Sequence, residues 1–175
     1  MKISKKIYYI LISAILISSC NSMPPLDMTL SSIPDVTRQS VELKSITVGY
    51  IAKTRGVKLD TNHLVPPAWE TALRDAINRS LVFQDDVDRN ITISVRINHF
   101  DIPAAGFAMT SDCGAIYEIM DRSNGKIIFS TDVRSSGTTP MDYAFMGVTR
   151  VQESMNRCAR TNIAGFLNEL NKVVL

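Results

Sequence analysis

The chain has 175 residues, 19 of them basic and 17 acidic, for a formal net charge of +2. Lys2, Lys5 and Lys6 crowd its start, and without the first 19 residues the balance becomes 16 against 17, or −1. That near-neutral remainder lacks the clustered basic footprint of a nucleic-acid binder, and its 156 residues suffice for one ordinary domain with a real core.

The start of the chain has its own organisation. After the lysines comes an apolar run from Ile7 to Ile17, followed by Ser18-Ser19-Cys20. A charged n-region, a short apolar h-region and small residues before a cut site form a secretory signal. Eleven apolar residues fall short of the ~20 that span a bilayer. Ile17-Ser18-Ser19-Cys20 resembles the lipobox of bacterial lipoproteins. The resemblance implies that residues 1–19 are removed and that Cys20 becomes an acylated first residue, anchored in a membrane leaflet. Plain secretion with cleavage near Ser19 is the alternative. Asn21 stands where enterobacterial lipoproteins retained at the inner membrane carry Asp. By the same resemblance it implies outer-membrane sorting, with the domain facing the periplasm.

Residues 20–40 read as the acylated cysteine and a flexible tether. Pro24, Pro25 and Pro34 lie among Ser, Thr and Asp with no sustained period. Fully extended, such a tether reaches roughly 60–70 Å. Residues 41–175 read as a single domain. Val41–Ala52 alternates, with Ile46, Val48 and Tyr50 on one face of a strand. Pro66-Pro67 leads into a helix over Ala68–Phe83, where Trp69, Leu73, Ile77 and Leu81 recur every four residues. Ile91–Phe100 is a strand with Ile91, Ile93, Val95 and Ile97 on one side and polar residues on the other. Cys113–Arg122 and Lys126–Arg134 are two more, joined by Ser123-Asn124-Gly125 in a tight hairpin. A last helix, from about Met146 to Val173, carries the stripe Val151, Met155, Cys158, Asn162, Phe166, Leu170 and Val173. The order β-α-β-β-β-α predicts an α+β fold, with two helices on one face of a largely antiparallel sheet of about four strands.

This order and size resemble small α+β lipoproteins of the bacterial envelope, among them transport-auxiliary lipoproteins and the lipopolysaccharide-assembly lipoprotein. The likeness covers residues 41–173 as topology, and Cys20 is the one residue whose role it implies.

Catalytic and metal chemistry find little support. His63 and His99 are the two histidines, and no Gly-x-Ser-x-Gly elbow accompanies them. His99 continues the apolar side of its strand, as a partly buried residue satisfied by hydrogen bonding. No His-x-x-x-His or Cys-x-x-Cys pair offers zinc ligands, and Asp85-Asp86-x-Asp88 lacks the glycine and glutamate of a calcium loop. Neither enzyme activity nor a cofactor is expected. With Cys20 lipidated, Cys113 and Cys158 are the remaining thiols in an oxidising compartment. They can pair across 45 residues, or stay two buried thiols.

Topology supplies the candidate working surface. A parallel first pair and a following meander send the segments Lys53–Pro66, Asp101–Asp112 and Ser135–Phe145 out at one end of the sheet. They carry Leu59, Leu64 and Val65; Ile102, Phe107 and Met109; and Met141, Tyr143 and Phe145. Exposed, these residues form a surface for a protein or lipid partner; folded inward, they cap the core. Gly106 and Gly137 permit flexing or a close backbone approach. Two functions follow: a lipid-anchored protein that binds as accessory subunit of an envelope transport or assembly complex, or a stand-alone structural or surface lipoprotein. Membrane and envelope partners are expected, nucleic acid is not.

Overall fold

The structure, a computed structural model, describes residues 25–55 and 63–175. Cys20, the signal segment and Leu59 of the first loop lie outside the described residues. Four strands, β1 (Glu42–Arg55), β2 (Asn90–Asp101), β3 (Met109–Asp121) and β4 (Ile127–Thr139), form one open sheet in chain order. β1 runs parallel to β2, and the other pairings are antiparallel. Helix α1 (Val65–Ser80) makes the crossover between β1 and β2, and α2 (Gly147–Leu170) closes the chain. The α+β architecture with a mainly antiparallel sheet is the one the residue pattern predicts.

The core lies between the helices and the inner face of the sheet. Ile91, Ile93, Val95 and Ile97 of β2 are fully buried, as are Cys113, Ala115, Tyr117 and Ile119 of the neighbouring β3. The α2 stripe packs onto them through Met155, Cys158, Asn162, Phe166 and Leu170. Asn162 interrupts an otherwise apolar stripe for a reason visible in its partners. Trp69 Nε1 donates to the Tyr117 hydroxyl at 3.1 Å, which donates to Asn162 Oδ1 at 2.9 Å. Asn162 Nδ2 then reaches the Val133 carbonyl at 2.8 Å and Ser135 Oγ at 3.0 Å. One buried polar chain thus joins α1, β3, α2 and β4, and burial pushes the Tyr117 phenol well above its ordinary pKa, which keeps it neutral.

Cys113 and Cys158, for which the sequence left two states open, are joined in a disulfide between β3 and α2. Beside it, Gly137 does what a glycine in close backbone approach must. A Cβ there would fall against the backbone of Ser154, Arg157 and Cys158. Gly137 belongs to β4, which runs five residues past the expected end at Arg134.

Several expectations need correction. The segment before β1 is not a free tether: Met28, Leu30, Gln39 and Val41 are buried, and Leu26, Ile33 and Val36 pack against the core. The Leu30 carbonyl accepts from Arg79 of α1 at 2.8 Å, and the Asp27 carbonyl from Arg160 of α2 at 2.6 Å. Folded structure therefore begins before residue 41. Leu81, expected on the α1 stripe, is exposed, because the helix stops at Ser80 and Leu81 turns left-handed (φ 51°). His99 does not continue the apolar side of β2. A bulge between Ile97 and His99 inserts one residue, so Phe100 takes the inner position opposite Cys113. The hairpin is wider than a two-residue turn. Asp121 N–H donates to the Lys126 carbonyl, four residues lie between them, and Gly125 alone among these has positive φ (70°).

Candidate interaction surface

The parallel β1–β2 pair and the β2–β3–β4 meander bring the ends of β1, β2 and β4 and the start of β3 to one end of the sheet. Both helices also start there, since α1 follows β1 and α2 follows β4. Met109 and Thr139 are register partners, so the β2–β3 loop and the β4–α2 segment leave the sheet side by side.

Among the predicted surface residues the structure makes a division. Leu64, Phe107, Met141, Tyr143 and Phe145 are exposed, Phe107 by 80% and Phe145 completely. Val65 and Met109 are buried and Ile102 is half-buried against the core, so these three are removed from the surface. Val65 is the first residue of α1 and faces inward beside Trp69. The Met109 side chain lies under both loops: a Cβ on Gly106 would sit 3.9 Å from its sulfur, and one on Gly147 would sit 3.7 Å from its methyl. Met109 is buried beneath these two segments, whereas the Phe107 and Phe145 rings are exposed.

Two exposed residues escaped the sequence reading: Met146 and Val148. Their signal was present, because Phe145-Met146 continues the apolar run that Met141 and Tyr143 begin. Helical periodicity absorbed Met146 into the last helix, whereas α2 starts one residue later.

The outward pose of this segment is enforced from below. Arg150, 9% exposed, donates from Nη1 to the carbonyls of Ala144 (2.6 Å) and Phe145 (3.1 Å). Arg157 places its guanidinium over the Tyr143 ring, 5.4 Å from the centroid, while donating to the Thr138 carbonyl at 2.9 Å. Arg150 thus ties down the Ala144 and Phe145 carbonyls, and Arg157 holds the Tyr143 ring and the end of β4.

Next to Tyr143 lies a cleft of about 260 Å³ between the N-terminal strap and α2. Pro25 and Asp27 form one wall, and Gln152, Asn156 and Arg160 the other. Gln152 Nε2 donates to the Pro25 carbonyl at 3.0 Å. Arg160 is shared between Glu153 (3.2 Å) and the Asp27 carbonyl. Hydrogen bonds donated by Thr29, and the nearby Arg160 charge, hold the Asp27 carboxyl below its ordinary pKa.

Elsewhere, His63 is exposed just before α1, and His99 is half-buried at the β2 bulge. Among the described residues no group of three or more His, Cys, Asp and Glu side chains could hold a metal ion. No helix among them is long and apolar enough to cross a membrane.

No family model and no curated protein matches the chain. Solved structures do. Protein XCC0632 from Xanthomonas campestris, of family DUF330, is similar over 82% of this chain and 92% of its own, with a TM-score of 0.59 and 8% identity. The PelC dodecamer from Paraburkholderia phytofirmans covers 81% and 96% at TM-score 0.49 and 13% identity. Lipoprotein GNA1162 from Neisseria meningitidis covers 77% and 99% at TM-score 0.41 and 8% identity. The first likeness shows a shared fold and, at that identity, the fold alone; the two lower scores carry no argument.

Proposed function

We propose that this chain is a lipid-anchored protein of the bacterial cell envelope that acts by binding, as an accessory subunit of a transport or assembly complex. The observation that carries the reading is the path of the N-terminal segment. Five residues after the lipobox cysteine, Pro25 is already bound to Gln152 near the start of α2. The chain then runs along both helices to Thr37, whose N–H donates to Asn171 at 2.6 Å, beyond the other end of α2. An anchor on Cys20 therefore enters the domain beside the exposed apolar segment. Asn21 supports outer-membrane sorting and a periplasm-facing domain. The large exposed groups gathered at this end are mostly apolar, which suits binding more than catalysis.

The test is purification of the tagged, full-length protein from its own envelope in mild detergent, with intact-mass analysis of its N-terminus and identification of co-purified proteins. The expected result is an acylated Cys20 and a reproducible transport or assembly protein. An acylated but partnerless protein would leave the stand-alone lipoprotein as the better account. An unmodified, uncleaved N-terminus would sink the anchor itself.

A further inference from the structure

We propose that the loop end of the domain docks on the leaflet that holds the anchor, with Phe107, Phe145 and Met146 seated at the headgroup–acyl boundary. This rests on the lipoprotein reading and says where the domain sits once anchored.

Chain length decides which occupant covers the apolar end. A free tether of residues 20–40 would let the domain roam tens of ångströms from the membrane. The strap removes that freedom, because its residues from Leu26 onward are packed or hydrogen-bonded along the helices. The chain left between Cys20 and Pro25 is five residues, which reach about 17 Å at most. A headgroup layer takes up roughly 5–8 Å of that. Pro25 sits in the same cleft as Tyr143. The end of the domain that bears Tyr143, Phe145 and Met146 is thus the end held at the membrane, and a protein partner would have to fit into the few ångströms that remain.

The distribution of apolar side chains agrees. Of eleven exposed large hydrophobic residues among those described, seven lie at the loop end, three at the opposite end and one on β1. Those at the opposite end (Leu81, Ile127 and Val174) lie singly, past the end of α1, at the first residue of β4 and past the end of α2. Single scattered residues need no explanation, whereas a set clustered in one place does. The β4–α2 members are held from α2, since Arg150 donates to the Ala144 and Phe145 carbonyls and Arg157 lies over the Tyr143 ring. Charge at this end is mixed: Asp101 and Asp142 are exposed beside the patch, and Arg157 lies over Tyr143, so docking rests on apolar burial and is tested on zwitterionic lipid.

The experiment uses the full-length lipidated protein in phosphatidylcholine vesicles, with ordinary or brominated acyl chains. Bromine quenches tryptophan on contact. Trp69, fully buried, supplies a constant background. Phe107→Trp and Phe145→Trp report on the loop end and Val174→Trp on the opposite end. The expected result is at least about twofold quenching of the added emission at 107 and 145, and none at 174, for side chains inserted at the interface. Vesicle flotation separates the two readings. A protein that floats with all three positions unquenched keeps its anchor and overturns the docking. A protein that does not float overturns the anchor and the docking with it. Equal quenching at 174 would show unoriented adsorption and also overturn it. Blue-shifted but unquenched emission from the Phe145→Trp variant would reveal a protein cover, a second copy or a partner, in place of lipid, and would overturn it as well.

Discussion

The two ends of the sheet handle exposure in opposite ways. At the hairpin end, polar side chains close off the chain. Asp121 accepts from the Ser123 N–H (2.9 Å) and hydroxyl (2.6 Å) and from Arg89 (3.0 Å). Gln39, from the strap, donates to the Val173 carbonyl and accepts from the Leu175 N–H, both at 2.9 Å, which ties the C-terminus to the start of the sheet. At the loop end Arg150 and Arg157 make the polar contacts to the backbone, and seven of the large exposed side chains are apolar. A side chain that is exposed in the folded state contributes little to folding. The hairpin end exposes three scattered apolar residues among polar contacts, whereas the loop end gathers seven.

Perturbations should separate the two ends by size of effect. The largest concerns the clamp beneath the loop end. Replacing Cys113 and Cys158 by Ala opens a bridge spanning 45 residues, an expected loss of about 4 kcal/mol in urea unfolding. Reductant should bring the native chain to the same value; a loss near zero would show that the bridge does not hold α2 to the sheet. Gly137→Ala comes next. Its Cβ must push the backbone of α2 away from β4, an expected cost of about 3 kcal/mol. Wild-type stability there would show that the helix can shift freely. Tyr117→Phe leaves Trp69 Nε1 and Asn162 Oδ1 without their shared partner in the core, an expected loss of about 2 kcal/mol by the same assay.

At the hairpin end the effect is smaller and depends on pH. Hydrogen bonds from Ser123, and Arg89 beside them, lower the Asp121 pKa from 3.8 to about 2. A lowered folded-state pKa means that this stabilisation is complete above pH ~4 and is lost as the pH falls toward 2. Asp121→Asn should melt lower than the native protein at pH 6, and the gap should close near pH 2. A gap that stays constant would mean that the carboxylate charge is not what matters. The smallest effect on stability belongs to Phe107→Asp with Phe145→Asp, expected within about 0.5 kcal/mol. A large loss would make these rings part of the core and erase the contrast between the ends.

Regular elements were readable because each carries its own period. The β2 isoleucines, the inward set of β3 and the α2 stripe from Met155 to Leu170 fall where alternation and 3.6-residue spacing put them, while Val151 is half-buried and Val173 lies past the helix end at Leu170. Departures occur where a neighbour overrides the local pattern. Leu81 fits the stripe of α1 but lies past its end. His99 keeps the alternation of β2 in sequence, and a one-residue bulge moves the inner position to Phe100. Of the candidate surface, the loops were readable from connectivity, and the fate of each residue was not. Met109 and Phe107 are two residues apart in one apolar segment, yet one is buried under two loops and the other stands in solvent.

From its residues alone the chain determines the lipobox-like start, the β-α-β-β-β-α order, the parallel first crossover and the end at which the loops gather. These are local properties, set by periodicity, turn chemistry and the handedness of connections. Tertiary structure alone decided the pairing of Cys113 with Cys158, the buried Trp69–Tyr117–Asn162 chain and the course of residues 25–41. Those residues have no period because they are not a regular element. Met28 and Leu30 are buried by surfaces that α1 and α2 supply only after both have packed on the sheet. The segment of residues 25–41 is where the difference matters most, since a stretch expected to be free is packed along both helices.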